Sequence, residues 1–536
     1  MQSGADVTAA GAGPTVIRSF RVGILHSLAG TMAASERPLV DAALLAVEEV
    51  NATGGLLGRP LEAVVADGRS EPATFGREAR RLIGTEGITT LFGCWTSSAR
   101  KAVRREVEAA GALLWYPVQY EGLEESGNVF YTGGTLNQQV EPALDWALAE
   151  LGQRFFLVGS DYVYPRIANR LATALISSHG GAVAGEALVP LGAVDFSDVV
   201  RRLGEAGPLV VFSTINGDSN VAFYRQLAAA RLPPSRYPVL AMSVAETELL
   251  SIGEWAHGQL ACWGYFQSLK TEENRKFIAA YRKRFGSGRS TSDPIAAAHT
   301  QVHLWAEAVR KAGSFEPADV ARAAPGCRLA GPLGDLCIRP NHHVTRSAMI
   351  GRVGSDGQLC VVWASANPFE PLPWLGIERA GLINEPVIRE ALAAWPEVEA
   401  DARLERHRSA EALRESEERF RAIFEAAPAG IVECDASGRY LRVNELFRET
   451  TGFSETDLLG MTFQEITHPE DVDAERESLG RLAAGEVDRF TMEKRYVRKD
   501  RTVRRVRLTV SAVRLPQGGV DTFIGIIVDV TPGEAP

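Results

Sequence analysis

The sequence predicts an α/β protein: two α/β lobes, then a helical linker, then a small α+β module. Three observations predict it. Strand-like apolar runs alternate with helical periodicity from Phe20 to about residue 265, which implies parallel sheets with right-handed crossovers. At 536 residues the chain exceeds what one core can hold. An Ala/Glu/Arg-rich stretch, 397–418, then breaks the pattern before short strands resume.

Residues 1–19 are small and polar and read as disordered. A first strand over 20–25 leads to helical spacing at Leu39, Ala43, Ala46 and Val50, stopped by Asn51-Ala52-Thr53-Gly54-Gly55. A second strand, 61–66, ends at Asp67-Gly68, and a helix is expected over 73–83. The third strand, 88–92, runs into Gly93-Cys94-Trp95-Thr96-Ser97-Ser98, and a helical pattern begins at Ala99. Strands over 112–115, 155–158, 209–213 and 239–242 come next. A helix over 294–312 and short strands near 348–351 and 359–363 close a two-lobed domain over 20–375.

The segment 376–415 reads as an exposed helical linker. A heptad counted from Leu404 meets Glu411 where an apolar residue belongs. From 416 to 532 the pattern is a short α+β module. It has a helix over 419–425, strands over 430–434 and 440–443, small helices, and three closing strands over 490–498, 503–513 and 520–529. Arg498, Arg501, Arg504, Arg505 and Arg507 alternate with Val503, Val506 and Leu508, which reads as a solvated strand face.

Bulk properties exclude several classes. A net charge of -10 argues against general nucleic-acid affinity. No apolar run is long enough to span a bilayer, and no basic region with an apolar core marks a secretory signal. The six cysteines form no CxxC pair, the pattern of a reduced set. The chain is therefore expected to be cytoplasmic, with no membrane and no nucleic-acid partner. Neither a P-loop nor a metal-ligand spacing is evident, so no cofactor and no metal is expected. The adjacent His342 and His343 suit chelation poorly, and His468 reads as a structural loop residue.

The candidate site is assembled from the residues just beyond each strand. The third strand delivers Trp95, Thr96 and Ser97 to a helix start, and the fourth delivers Tyr116, Gln119 and Tyr120-Glu121. Later strands deliver Asp161 to Pro165, Asn216 to Ser219, and Ser243 to Glu246. In open α/β sheets these carboxyl ends bind ligands. Aromatic planes with a few neutral polar groups suit a small, planar, uncharged guest. The expected ligand-binding residues are Trp95, Thr96, Ser97, Tyr116, Gln119, Tyr164, Asp218 and Glu246. Ser97 also has a role available as a helix cap, and so has Asp218. Tyr162 and Tyr164 alternate, which puts Tyr164 in the cleft and packs Tyr162 away. Glu124 and Glu125 read as solvated. With no Gly-x-Ser-x-Gly elbow, no catalytic residue is expected.

Several motifs, in order, carry a resemblance. Gly93-Cys94-Trp95-Thr96-Ser97, Tyr116-Pro117-Val118-Gln119-Tyr120-Glu121-Gly122, Phe130-Tyr131-Thr132-Gly133 with Asn137-Gln138-Gln139, Val158 to Arg166, and Asn216 to Phe223 resemble the urea/short-chain-amide branch of type I periplasmic binding proteins. That resemblance implies two Rossmann-like lobes around a cleft for urea or a short amide. In it Ser97, Tyr116 and Tyr164 match positions that contact the amide. Trp95 and Val118-Gln119 resemble the urea-transport branch. Ser416 to Arg421, Asn444 to Phe447, Thr451 to Ser454, His468-Pro469-Glu470-Asp471 and Gly525 to Thr531 resemble a PAS domain. Together they imply a ligand-binding signal sensor and not an enzyme. Its closure would be relayed through the linker to the PAS module, with a homodimer through linker and PAS and an output protein acting in trans. The alternative is the substrate-binding subunit of a urea, amide or branched-chain amino acid ABC transporter.

Overall fold

The computed structural model describes residues 18–374, 421–422, 424–514 and 520–531. Residues 1–17 of the N-terminus expected to be disordered over 1–19, and the expected linker, 376–415, lie outside the described residues. The chain divides into two compact units, Met1–Arg403 and Leu404–Pro536.

The first unit contains two sheets. The first lobe is built on five parallel strands in the order β2-β1-β3-β4-β5: β1 Phe20–His26, β2 Leu61–Asp67, β3 Thr90–Gly93, β4 Leu113–Tyr116 and β5 Val129–Tyr131. β3 and β4 are buried at every position, as strands covered on both faces should be. Helices α1 Ala33–Ala52, α2 Pro72–Gly84 and α3 Ser97–Ala110 connect these strands.

The second lobe holds α4 Val140–Glu150, α5 Val163–Ser178, α6 Ser197–Ala206, α7 Ser219–Ala229 and α8 Glu246–Ile252. They surround a sheet with strand order β14-β13-β10-β9-β8-β6-β7. Its strands are β6 Arg154–Ser160, β7 Ala182–Val189, β8 Val210–Thr214, β9 Val239–Ala241, β10 Leu260–Trp263, β13 Met349–Val353 and β14 Leu359–Ala364. β7, β6, β8, β9 and β10 run parallel, and β13 and β14 add an antiparallel edge. Helices α9 Glu272–Phe285, α10 Asp293–Ala312 and α11 Pro317–Ala323, with the hairpin β11 Arg328–Gly331 and β12 Gly334–Cys337, return to the first lobe's core.

The chain thus crosses between lobes three times, near 132–139, 264–271 and 338–348. One side chain gathers all three crossings. Arg346, in the third, donates through Nη1 to Thr132 O of the first at 3.1 Å, and pairs through Nη2 with Asp293 at the start of α10. Asp293 in turn accepts from the backbone N–H of Gly264 in the second. Burial raises the Asp293 carboxyl above the usual carboxylate range, and Arg346 opposes that.

The second unit is a five-stranded antiparallel sheet in the order β16-β15-β19-β18-β17: β15 Gly430–Asp435, β16 Tyr440–Val443, β17 Arg489–Val497, β18 Val503–Arg514 and β19 Val520–Asp529. Phe447, Leu458, Ile466 and Leu482 from the intervening helices cover one face. The expected alternation on β18 holds from Arg505 to Leu508, with Val506 and Leu508 buried and Arg505 and Arg507 exposed, but fails at the strand's start, where Val503 is exposed and Arg504 half-buried. Lys494 Nζ is buried and pairs with Glu475 Oε2 at 2.5 Å, with the Thr467 hydroxyl 2.9 Å from Nζ. Beside them lies a cavity of about 30 Å³, lined in part by Cys434, Tyr440, Phe463 and Tyr496, room for roughly one water molecule.

No described helix is long and apolar enough to cross a membrane.

The turn after β3 depends on a missing side chain. A Cβ on Gly93 would stand 2.0 Å from Leu25 O, so only glycine lets β3 lie this close to β1. Gly93→Ala should therefore cost about 3 kcal/mol through forced backbone shifts. It should appear as a lowered first unfolding transition in calorimetry, with the transition of the second unit unmoved.

Candidate ligand-binding cleft

The chain leaves β3 through Cys94, whose φ of 68° lies in the left-handed region and is strained for a side chain with a Cβ. Thr96 then caps α3, its Oγ1 accepting from Ala99 N at 3.2 Å. With the cap supplied one residue earlier, the Ser97 hydroxyl is free for other work. It donates to Glu121 Oε2 and accepts from Arg100 Nη1 at 3.1 Å.

Arg100 is wholly buried. It donates through Nη2 to Glu121 Oε1 at 2.9 Å and through Nε to Glu124 Oε1 at 3.0 Å. Its guanidinium lies over the rings of Tyr116 and Tyr120, at 4.9 and 4.5 Å from their centroids. Burial disfavours the Arg100 charge, but Glu124 and Glu121 hold it firmly protonated. Burial likewise raises the Glu124 carboxyl, and Arg100, Lys101 and Arg104 more than reverse this, holding it well below the usual carboxylate range. Lys101 Nζ lies 3.0 Å from Glu124 Oε2, and Tyr131 donates its hydroxyl to Oε1 at 2.8 Å. Such a network is tolerable in a core because every charge in it is matched.

Tyr116 closes β4. Its hydroxyl donates to Trp95 O at 2.5 Å, with Gln119 O at 3.3 Å. Burial pushes this phenol far up, so it remains a neutral donor.

The second lobe supplies the facing wall. Gln119 Nε2 reaches across and donates to Met242 O and Ser243 Oγ, each at 3.2 Å. Gln139 Nε2 donates to Met242 O at 3.0 Å and Cys262 O at 2.6 Å, and the Tyr164 hydroxyl donates to Gln139 Oε1 at 3.4 Å. The Tyr164 hydroxyl also lies beside Gln119 and Ser243. A second bridge runs from Ser35 Oγ in α1 to Glu248 Oε1 in α8 at 2.8 Å. Thr31 and Met32 pack so close to Gly217 that a Cβ there would meet both at 3.2 Å. The two lobes are therefore closed on one another. Within this closed seam Gln119 Oε1 is buried and accepts no hydrogen bond from any of the described residues.

The family model for a periplasmic binding protein domain matches residues 20–380, and that for a PAS fold matches 424–534. The chain belongs to the periplasmic binding protein family. It carries a PAS domain as its second unit.

Relatives agree with this division. The chain is 25% identical over 292 residues to Leu/Ile/Val-binding protein homolog 6 of Brucella melitensis, covering 53% of this chain and 75% of that one. Over 120 residues it is 31% identical to limonene hydroxylase of Geobacillus stearothermophilus, 22% of each chain. Over 118 residues it is 34% identical to the probable diguanylate cyclase DgcE of Escherichia coli, spanning only 11% of that protein. Among solved structures, a Rhodopseudomonas palustris solute-binding protein in complex with 4-hydroxybenzoate superposes with a TM-score of 0.61 at 21% identity. The superposition covers 67% of this chain and all of that one. The Brucella protein is named for Leu/Ile/Val and the Rhodopseudomonas protein holds 4-hydroxybenzoate. These likenesses agree with the periplasmic binding protein family and do not single out its urea/amide branch.

Of the residues expected to form the site, Trp95, Ser97, Tyr116, Gln119 and Tyr164 are buried and linked through the contacts above. Thr96 is half-buried and spends its hydroxyl on the α3 cap. Asp218 is exposed at the start of α7 and does not cap it through its side chain. Glu246 is buried, but its Oε1 accepts from Gln267 N of the second crossover at 2.6 Å, which ties it to the hinge.

Two expectations are corrected. Glu124 is not solvated but is the fully buried counter-ion of Arg100, because α3 folds its basic face onto the 121–124 turn. Tyr162 and Tyr164 do not alternate along a strand. Tyr162 precedes α5 and Tyr164 sits in its first turn; Tyr162 is half-buried and does pack on the second lobe's core, but its ring stays beside that of Tyr164, the centroids 6.5 Å apart. Sequence reasoning gave no role to Arg100, Gln139 or Glu248. The three-residue step from Ser97 to Arg100 was the available signal, since it places both on one face of a helix.

Glu246 provides a pH test of the hinge. Burial raises its carboxyl from 4.5 to about 8, the Gln267 N–H opposing this, and Oε2 has no partner. Between those two values the folded chain keeps a proton that the unfolded chain releases. This group's contribution to stability therefore falls as pH rises through that window. Glu246→Gln cannot ionise. Its melting temperature should overtake that of the parent progressively from about pH 5 to about pH 8, and the gap should level above that; a pH series of thermal melts checks it.

Proposed function

We propose that this periplasmic binding protein–PAS fusion is a ligand sensor whose cleft traps a small neutral amide, with urea the first candidate. The observation that carries the reading is Gln119. Its amide nitrogen spans the cleft while its amide oxygen is left buried without a donor. A guest that supplies N–H groups would satisfy that oxygen. An unmet buried acceptor costs about 1–3 kcal/mol, so its satisfaction favours the closed form.

The charge arrangement points the same way. The cation nearest these rings, Arg100, is already matched by Glu121 and Glu124. A carboxylate guest such as a benzoate would compete with those partners in a buried network. A neutral guest leaves them intact, and the neutral phenol of Tyr116 and the ring of Trp95 offer a planar surface to it.

Ligand binding can act as a signal only by favouring one lobe arrangement over another. The PAS unit is the candidate receiver. The six unpaired cysteines support a reducing, cytoplasmic setting. A transport role is the second reading, favoured by the Leu/Ile/Val-binding name of the Brucella relative. Recovery of the chain from the periplasmic fraction would favour it.

Calorimetric titration of the full chain tests the ligand. Urea and acetamide should bind, with isoleucine and 4-hydroxybenzoate giving no heat. Gln119→Leu should weaken urea binding at least about tenfold, the loss of one buried hydrogen bond, with Trp95→Ala weakening it further and both variants melting cooperatively. Binding of isoleucine or benzoate without urea would overturn the assignment. Sustained ammonia release from urea would overturn the reading as a binding protein.

A further inference from the structure

A cluster with no part in the cleft lies in the helical layer of the first lobe. α1 and α10 pack together there, and His299 and His303 stand one turn apart on the face of α10 that meets α1. Both rings point Nε2 at the same atom, Glu49 Oε2, at 2.7 and 2.9 Å. The neighbouring Glu48 pairs instead with Arg284. One donor atom from each of Glu49, His299 and His303 lies within 4.8 Å of the other two.

We propose that Glu49, His299 and His303 form a binding site for a divalent transition-metal ion of the zinc class, bridging α1 and α10. The donor set decides the class. Two imidazole nitrogens and one carboxylate oxygen suit zinc, cobalt, nickel or copper, whereas calcium and magnesium take oxygen ligands. Zinc–donor distances of about 2.0–2.1 Å in a tetrahedral site separate neighbouring ligand atoms by about 3.3 Å. The two separations from Glu49, 2.7 and 2.9 Å, would open by about half an ångström, and the two imidazole nitrogens, which lie within 4.8 Å of one another, would come to the same spacing.

Access is graded. His299 is nearly buried at 10% exposure and rests against the Phe277 ring, whereas His303 and Glu49 are 24% and 34% exposed. The inner ligand is thus held by packing, and the two outer ones are open to solvent. An ion held here would fasten α1 to α10. It would stabilise the first lobe increasingly as the metal concentration rises above its dissociation constant.

The test uses the full chain, stripped with chelator and then dialysed against Zn²⁺. It should retain about one Zn²⁺ per chain and melt at a higher temperature than the stripped protein. Co²⁺ in its place should develop visible absorption bands that Zn²⁺ abolishes. Glu49→Gln and His303→Gln should each weaken Zn²⁺ binding at least about tenfold and lose the melting shift, while urea titration of the cleft stays as in the parent. Two variants are used so that misfolding of one, seen as loss of a cooperative melt, does not decide the result. If the parent retains no Zn²⁺, or both folded variants retain it equally, the cluster is a hydrogen-bonded contact only and the proposal is overturned.

Discussion

The first lobe is organised around one buried positive charge. Arg100 sits at 0% exposure, and an ion there is stable only when its partners are fixed in advance. That requirement positions the 121–124 turn, because Glu121 and Glu124 must both reach the guanidinium. It positions Ser97, which shares a hydrogen bond with each side of the Arg100–Glu121 pair. It also orients Tyr116 and Tyr120, whose rings lie against the guanidinium. The cleft wall is therefore a consequence of solving an electrostatic problem behind it. The groups that line the seam inherit their rigidity from the charges packed behind them.

The opposite wall is held differently. Backbone carbonyls of Met242 and Cys262 receive the amides of Gln119 and Gln139, so the second lobe contributes mainly main-chain acceptors. Main-chain acceptors at the ends of β9 and β10 are placed by sheet register and need no particular side chain. This wall can therefore keep its geometry through many changes of sequence, whereas the first lobe's wall depends on a few named charges.

Much of the fold was legible because its signals are local. Alternating apolar runs and helix periodicity placed the elements they bounded in the two lobes, and the five strands of the PAS unit, to within a residue or two, whereas β5, β7, α9 and the β11–β12 hairpin received no bounds. At the site, Trp95, Ser97, Tyr116 and Tyr164 were legible because glycine turns and helix starts mark strand ends. Glu124 was misread because its burial depends on α3 presenting Arg100, Lys101 and Arg104 to the 121–124 turn, contacts some twenty residues apart in sequence. Gln139 and Glu248 were missed for the same reason, since each acquires meaning only when the second lobe comes against its neighbours. The His299/His303 spacing was present in the chain, but its third member, Glu49, is some 250 residues away and only packing of α1 on α10 reveals it.

Arg346 has a mechanical consequence. Three separate chain segments join the lobes, and independent segments would permit bending, sliding and twisting alike. Because one guanidinium fastens Thr132 and Asp293, and Asp293 holds Gly264, the three strands of the joint share a single pivot. Sliding would break a desolvated ion pair, whereas rotation about that pivot leaves it whole. The joint therefore resists sliding more than turning, so parting of the two lobes would be expressed mainly as a change in the angle between them.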